Sequence, residues 1–296
     1  MTEREILRRT SRSFHLTIRL LPRAVRGDVA LAYLLARATD TLADTSTAGT
    51  DRRLAVLQSA RASLDRPAIE GFRPDDWEKH QRDPAERRLL GLLPALWRRL
   101  HARGDRLVHV VLGHILEGQI FDLERFGGGQ GALAPGELER YTWLVAGSVG
   151  EFWTDLCAAR LGDFARAPLE AMRARGRHYG QALQLVNILR DRRMDAALGR
   201  VYVADGDVLR WTDQARAWLD EGASYCADLR SGRLRYATLL PALLGWRTLS
   251  LSRPPAPGLL TPAKIPRHEV HRWMRRALPV WWSARHVPRL AAAASK

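Results

Sequence analysis

Residues 31–45 read LAYLLARATDTLADT, and residues 180–195 read GQALQLVNILRDRRMD. Both are apolar stretches broken by polar residues at steps of three and four. In the first, Tyr33, Arg37, Asp40 and Asp44 fall on one stripe of a helix, with the two aspartates one turn apart. In the second, Gln184, Asn187, Asp191 and Asp195 do the same among Leu183, Leu185, Val186, Ile188 and Leu189. The period is helical and not the period of two that a strand needs. Taken alone, the first stripe also reads as a solvated face carrying an Arg–Asp pair. Its recurrence changes the reading. Polar groups set into apolar helices need partners, and two like-charged pairs in an interior repel unless cations lie between them. Paired carboxylates suit Mg²⁺, which takes one or two of them and completes its shell with phosphate oxygens. The pattern therefore points to a diphosphate held by Mg²⁺ between two helices. No cluster of thiols or imidazoles suggests zinc. His268 and His271, in HEVH, lack the zincin spacing and read as surface or core histidines.

Outward from these stripes the same period dominates. It predicts helices near 23–44, 87–100, 105–125, 136–161, 167–195, 207–230, 235–250 and 266–284. The longest β-like run, Val201–Val203, is too short to weigh. Gly, Pro and polar residues mark loops at 45–50, 66–84, 126–136 and 252–262. None is a convincing linker and no repeat is present, so residues 1–296 read as one all-α domain with a basic, Trp-containing segment at 264–296.

Composition narrows the class. The chain has 296 residues with 46% hydrophobic and 27% charged, a globular balance. Two cysteines, Cys157 and Cys226, make no disulfide framework and suit a reducing compartment. No apolar run of about 18 residues suggests a membrane span. The start, MTEREILRRTS, has no signal-peptide core, so a cytoplasmic place is expected. The net charge is +15, and only three of 47 basic residues are lysine (Lys79, Lys264, Lys296). Arginine's planar fork suits phosphate, although codon bias toward arginine accounts for the excess equally well. Nucleic acid is not the expected partner, because the arginines are dispersed and no nucleic-acid-binding signature is present.

Five motifs occur in one order: SRSF (11–14), ARATDTLADT (36–45), YTWLVAGSVGEF (141–152), LQLVNILRD (183–191) and GRVY (199–202). Together they resemble the squalene and phytoene synthase family, head-to-head prenyl transferases. RLRYATLLPALLG (233–245) is similar to a later helix of that family. KIPRHEVHRWM (264–274) resembles the basic stretch of its squalene-synthase branch. The resemblance implies an isoprenoid-synthase helical bundle around a central cavity. It implies two farnesyl diphosphates as substrates, Mg²⁺ as cofactor and NADPH for a reductive step.

Residue by residue, it places metal at Asp40, Asp44, Asp191 and Asp195. It places catalytic roles there and at Arg37, Tyr33 and Tyr141. Substrate contacts fall to Ser13, Phe14, Arg37, Gln184, Asn187, Arg190, Arg200 and Tyr202. Gly118 and Asp122, one turn apart in HILEGQIFDLERF, resemble a helix lining the hydrocarbon tunnel; plain helix packing at a small residue explains Gly118 as well. Asn187, Lys264 and Arg267 are the implied NADPH contacts. Phytoene or dehydrosqualene synthesis, or arrest at presqualene diphosphate, would need no reductant.

Four departures stand out. Met194 replaces an acidic residue of the second motif, and Arg192 and Arg193 stand inside it. Val203-Ala204 replaces Leu-Pro, and Leu144 replaces an aromatic, leaving Tyr141 and Trp143 nearby. The last weakens a tyrosine-base mechanism; the departing diphosphate can take the proton instead. The small residues Ala146, Gly147 and Gly150 would admit either a prenyl chain or another helix. From 264 to 296, eight basic residues face the single acid Glu269, with Trp273, Trp281 and Trp282 among them. These tryptophans either pack inward or dock the chain peripherally on the inner face of the cytoplasmic membrane.

Overall fold

The apolar positions of 23–44 recur on one side, and in the computed structural model that stretch is one helix from end to end. The structure describes residues 2–10, 14–104, 106–128, 131–251 and 265–295, with the side chains of 4 and 14–16 outside the description. The fold is all-α. Among the described residues there is no strand, only an isolated bridge between Ala165 and Leu229. The chain divides into two compact units, Met1–Arg19 with Arg23–Gly128, and Leu20–Pro22 with Gly129–Lys296.

The first unit holds α1 (Glu3–Thr10), α2 (Phe14–Leu20), α3 (Arg23–Asp44), α4 (Thr50–Ala62), α5 (Asp75–Glu78), α6 (Pro84–Arg103) and α7 (Arg106–Phe126). α3 packs against α6 and α7, and α4 against α7. Its core joins Val25, Leu31, Leu34, Leu35 and Leu42 of α3 to Leu89, Leu93 and Trp97 of α6. Burying each such leucine stabilises the fold by about 1.5–3 kcal/mol. α6 has clear ends. Asp83 caps its start by accepting the Ala85 N–H at 2.7 Å, Pro84 occupies the first turn, and Gly104 ends it at φ +60°. Trp97 is fully buried, and its indole donates to the carbonyls of Arg66 (3.1 Å) and Ser63 (3.3 Å), tying down the segment that the sequence marks as a loop.

The second unit holds α8 (Pro135–Thr142), α9 (Ser148–Leu161), α10 (Leu169–Ala197), α11 (Val208–Asp228), α12 (Gly232–Leu251), α13 (Arg267–Arg276) and α14 (His286–Ala294). A π-helical turn, Trp143–Gly147, joins α8 to α9. The 29-residue α10 packs on α9, α11 and α12. Its contact with α9 answers the question left by the small residues. A Cβ on Gly150 would fall 1.8 Å from the Gly176 carbonyl oxygen, and one on Gly180 would fall 2.1 Å from that of Ala146. A Cβ on Gly147 would fall 2.9 Å from the Gln181 Cγ, a looser approach to a side chain of α10. These residues admit a neighbouring helix. The predicted helix 266–284 ends early, at Arg276, because Pro279 cannot continue it; a 3₁₀ turn, Leu278–Trp281, follows. Both cysteines are unpaired and buried.

Candidate active site

On α3 the motif residues take graded positions. Tyr33, Arg37 and Asp40 are half-buried and Asp44, at the last turn, is exposed. Arg37 directs one arm of its fork to Asp40, Nη1–Oδ2 2.7 Å, and the other to Glu86 in the first turn of α6. Burial works against the cation, but the carboxylates of Asp40 and Glu86 outweigh it, so the Arg37 pKa stands above the ordinary guanidinium value. Glu86 is absent from the sequence motifs. In PAERRLL it reads only as an acidic residue of a helix N-terminus, and its partner lies 49 positions earlier. α7, packed on α3, carries Gly118 and Asp122 inward, and the Asp122 side chain is buried. Beside them Gln119 is also buried.

The second unit carries the other stripe at the end of α10. Gln184, Arg190, Asp191 and Asp195 are half-buried, and Asn187 is exposed. Arg190 grips its neighbour with two arms: Nε donates to Asp191 Oδ1 at 2.9 Å and Nη2 donates to Oδ2. That bond raises the Arg190 pKa over the opposing effect of burial, with the Asp191 and Asp195 charges adding to it. Beyond α10 the chain turns back on itself. Gly199 adopts φ +80°, a conformation that favours glycine, and the Arg200 N–H then donates to the Asp195 carbonyl at 2.8 Å. Tyr202 lies buried three residues on, its ring stacked on Tyr141 of α8 with centroids 5.2 Å apart. The GRVY motif is thereby fastened to the carboxylate-bearing end of α10.

Of the two arginines inside the second motif, Arg192 pairs with Asp205, outside the motif, so its charge is compensated there. Met194 is exposed. Leu144, where the family pattern has an aromatic, is buried. Ser13, the Phe14 side chain and Lys264 lie outside the described residues. Arg267 opens α13 and is exposed, as are His268 and His271.

Among the described residues, no three His, Cys, Asp or Glu side chains gather to hold a metal by themselves. The donors come instead as carboxylate pairs one turn apart, oxygen only, each with an arginine on its first aspartate. Such pairs fit Mg²⁺ that shares its shell with phosphate oxygens and water, and do not fit a metal caged wholly by protein.

Comparison with known proteins bears on this geometry. The family model described as squalene/phytoene synthase matches residues 7–208. A bifunctional lycopene cyclase/phytoene synthase of Colletotrichum graminicola is 30% identical over 210 residues, covering 67% of this chain and 33% of that protein. Its counterpart in Blakeslea trispora is 32% identical over 207 residues, covering 67% and 31%. A squalene synthase of Yarrowia lipolytica is 27% identical over 242 residues, covering 79% and 53%. The chain thus spans about a third of the bifunctional relatives and about half of the last. Among solved structures, a ligand complex of TcSQS superposes with a TM-score of 0.75 at 20% identity, covering 98% of this chain and 90% of that one. A dehydrosqualene synthase complex gives 0.63 at 20%, covering 93% of each. These likenesses establish the fold.

Proposed function

The chain belongs to the squalene/phytoene synthase family, and from that premise we propose that it condenses two prenyl diphosphates head to head. The observation that carries the reading is the pair of aspartates one turn apart, braced by an arginine, on both α3 and α10. Asp40 with Asp44, and Asp191 with Asp195, would hold Mg²⁺, which supplies the charge neutralisation that turns a diphosphate into a leaving group.

The chain's own residues do the rest. Arg37 and Arg190 keep their positive charge at any working pH and add fixed cationic character beside the carboxylates. Glu86 and Asp40 lock the Arg37 fork, so little reorganisation is needed when a diphosphate arrives. Gln184, Asn187 and Arg200 offer further donors on the same stripe and turn. Tyr202, fixed by Tyr141, closes that end of the site. Ionisation of one substrate leaves an allylic cation, and the apolar faces of the helices keep water from quenching it. The double bond of the second substrate attacks, and loss of a proton closes the cyclopropane of presqualene diphosphate. With Leu144 at the position of the family's aromatic, the proton goes to the departed diphosphate and not to a tyrosine there.

We read the final product as squalene, formed from farnesyl diphosphate with hydride from NADPH. The Yarrowia relative, aligned over 79% of this chain, supports that choice. A second reading, condensation without reductant, is supported by the phytoene synthase relatives at 30% and 32% identity. One experiment separates them. The purified protein is incubated with farnesyl or geranylgeranyl diphosphate and Mg²⁺, with and without NADPH, and the lipids are identified by mass spectrometry. Squalene that appears only with NADPH supports the first reading. Phytoene or dehydrosqualene without it supports the second, and no condensed product from either substrate overturns both.

A further inference from the structure

The basic segment after 264 does not pack its three tryptophans alike. Trp273 is buried at 3% exposure, and Trp281 is half-buried with its ring 5.9 Å from that of Tyr236. Trp282, the next residue, is 78% exposed, and Leu278, one turn before it, is 44% exposed. Among the described residues, Trp282 is the one large aromatic standing this far into solvent.

Its position is held by the backbone beneath it. Arg235 is itself buried and donates from Nη1 to the Val280 carbonyl at 2.7 Å. Gly232 lies so close to the Trp281 carbonyl that a Cβ there would be 1.8 Å from its oxygen. The Tyr236 hydroxyl donates to the Met274 carbonyl at 3.0 Å. The turn that bears Leu278 and Trp282 is therefore pinned to the start of α12, and the apolar tip is presented from a fixed base.

Charge flanks the tip along the chain. α13, just before it, exposes Arg267, Arg272, Arg275 and Arg276, and Arg285 and Arg289 are exposed beyond the turn. The segment's one acid, Glu269, is buried and already taken by Arg247 (2.6 Å) and Arg272 (3.3 Å). We infer that this face docks on an anionic lipid surface, with the Trp282 and Leu278 side chains entering the boundary between headgroups and acyl chains. A tryptophan and a leucine suit that boundary, and exposed guanidinium groups before and after them suit lipid phosphates. A second copy of the chain suits it poorly, because a two-fold contact would set the same arginines against each other. No helix among the described residues is long and apolar enough to cross a membrane. This inference does not depend on which product the enzyme makes.

The test is co-sedimentation of the full chain with vesicles of phosphatidylglycerol and phosphatidylcholine, against phosphatidylcholine alone. Binding is expected only to the anionic vesicles, weakening as salt rises. Trp282→Ala is expected to weaken it about tenfold through lost apolar contact, and Arg275→Glu about tenfold through charge. Both side chains are exposed, so circular dichroism and the melting temperature of the variants should match the parent. Equal binding to both vesicle types, or binding untouched by both folded variants, overturns the inference. So does a dimer in sedimentation equilibrium that Trp282→Ala dissolves, or a shifted DNA fragment whose binding Arg275→Glu abolishes in the absence of vesicle binding.

Discussion

Arg190 bonds the carboxylate of the residue that follows it, Asp191, through Nε at 2.9 Å and through Nη2 on the other oxygen. The carboxylate plane is thereby fixed before any diphosphate arrives. Arg190→Lys keeps the charge but loses the fork. It is expected to lower kcat about 10–100-fold with little change in melting temperature, since the pair is partly exposed and such pairs contribute little to stability. Steady-state kinetics beside a thermal melt checks it; equal kcat in the variant would show that the grip has no part in turnover.

Glu86 is the second carboxylate on Arg37. Glu86→Gln leaves Asp40 to hold that fork alone. The expected result is a loss of about tenfold in kcat/KM and about 1 kcal/mol in stability. Glu86→Asp should recover less than half of the activity, because the shorter side chain does not reach as far. Activity unchanged in Glu86→Gln would remove the positioning role.

Magnesium and inorganic pyrophosphate together should raise the melting temperature by linkage, and either alone should raise it less. Asp40→Asn and Asp191→Asn should each reduce the shift and abolish product formation. Chelation by EDTA should stop turnover reversibly. A full thermal shift in both variants would exclude these aspartates from metal and diphosphate binding.

The Gly150–Gly176 crossing leaves no room for a methyl group. Gly150→Ala is expected to cost more than about 3 kcal/mol or to prevent folding, since backbone must move to admit it. Gly136→Ala, where nothing lies within 4 Å, is the control and should be near neutral. Chemical denaturation of the two compares them directly.

Burial pushes the Cys157 thiol from 9.0 to about 12. The folded state keeps this proton while the unfolded chain releases it above pH about 9. The stability it contributes is complete below that point and is lost as pH climbs toward 12. Burial drives Cys226, Tyr179 and Tyr225 in the same direction. Melting temperature should therefore fall steeply above pH about 9, and iodoacetamide should label neither cysteine at pH 8 until the protein is denatured.

The carboxylate stripes and the helices that bear them were legible because period and charge coincide there: α3 and α10 run almost as their spacing predicts. α4 was not legible, because only Leu57 and Ala60 of its 13 residues are fully buried and the apolar stripe is too thin to read. α14 was hidden because two of its buried positions, which fall at i, i+3, i+4 and i+7 from Val287, are Ala291 and Ala294 inside a run of four alanines, where the pattern does not stand out. Glu86 escaped because its meaning lies in a partner from another helix. Ala146, Gly147 and Gly150 carried two readings, a prenyl chain or another helix, and only the backbone of α10 beside them decides between the two. Trp273 and Trp282 sit in the same basic segment and share its composition; only the turn at Pro279 sends one inward and the other out.

Arg235 gives the C-terminal segment a different standing from that of an appendage. Its buried guanidinium donates to the carbonyl oxygens of Leu229, Arg230 and Val280, so one of its acceptors comes from 45 residues downstream. A protein clipped before that point would leave a cation facing an unfilled socket in the interior of the second unit. Trimming the Arg- and Trp-bearing stretch to silence its surface would therefore unsettle α12 from within, and single surface replacements are the only clean way to ask what that stretch does.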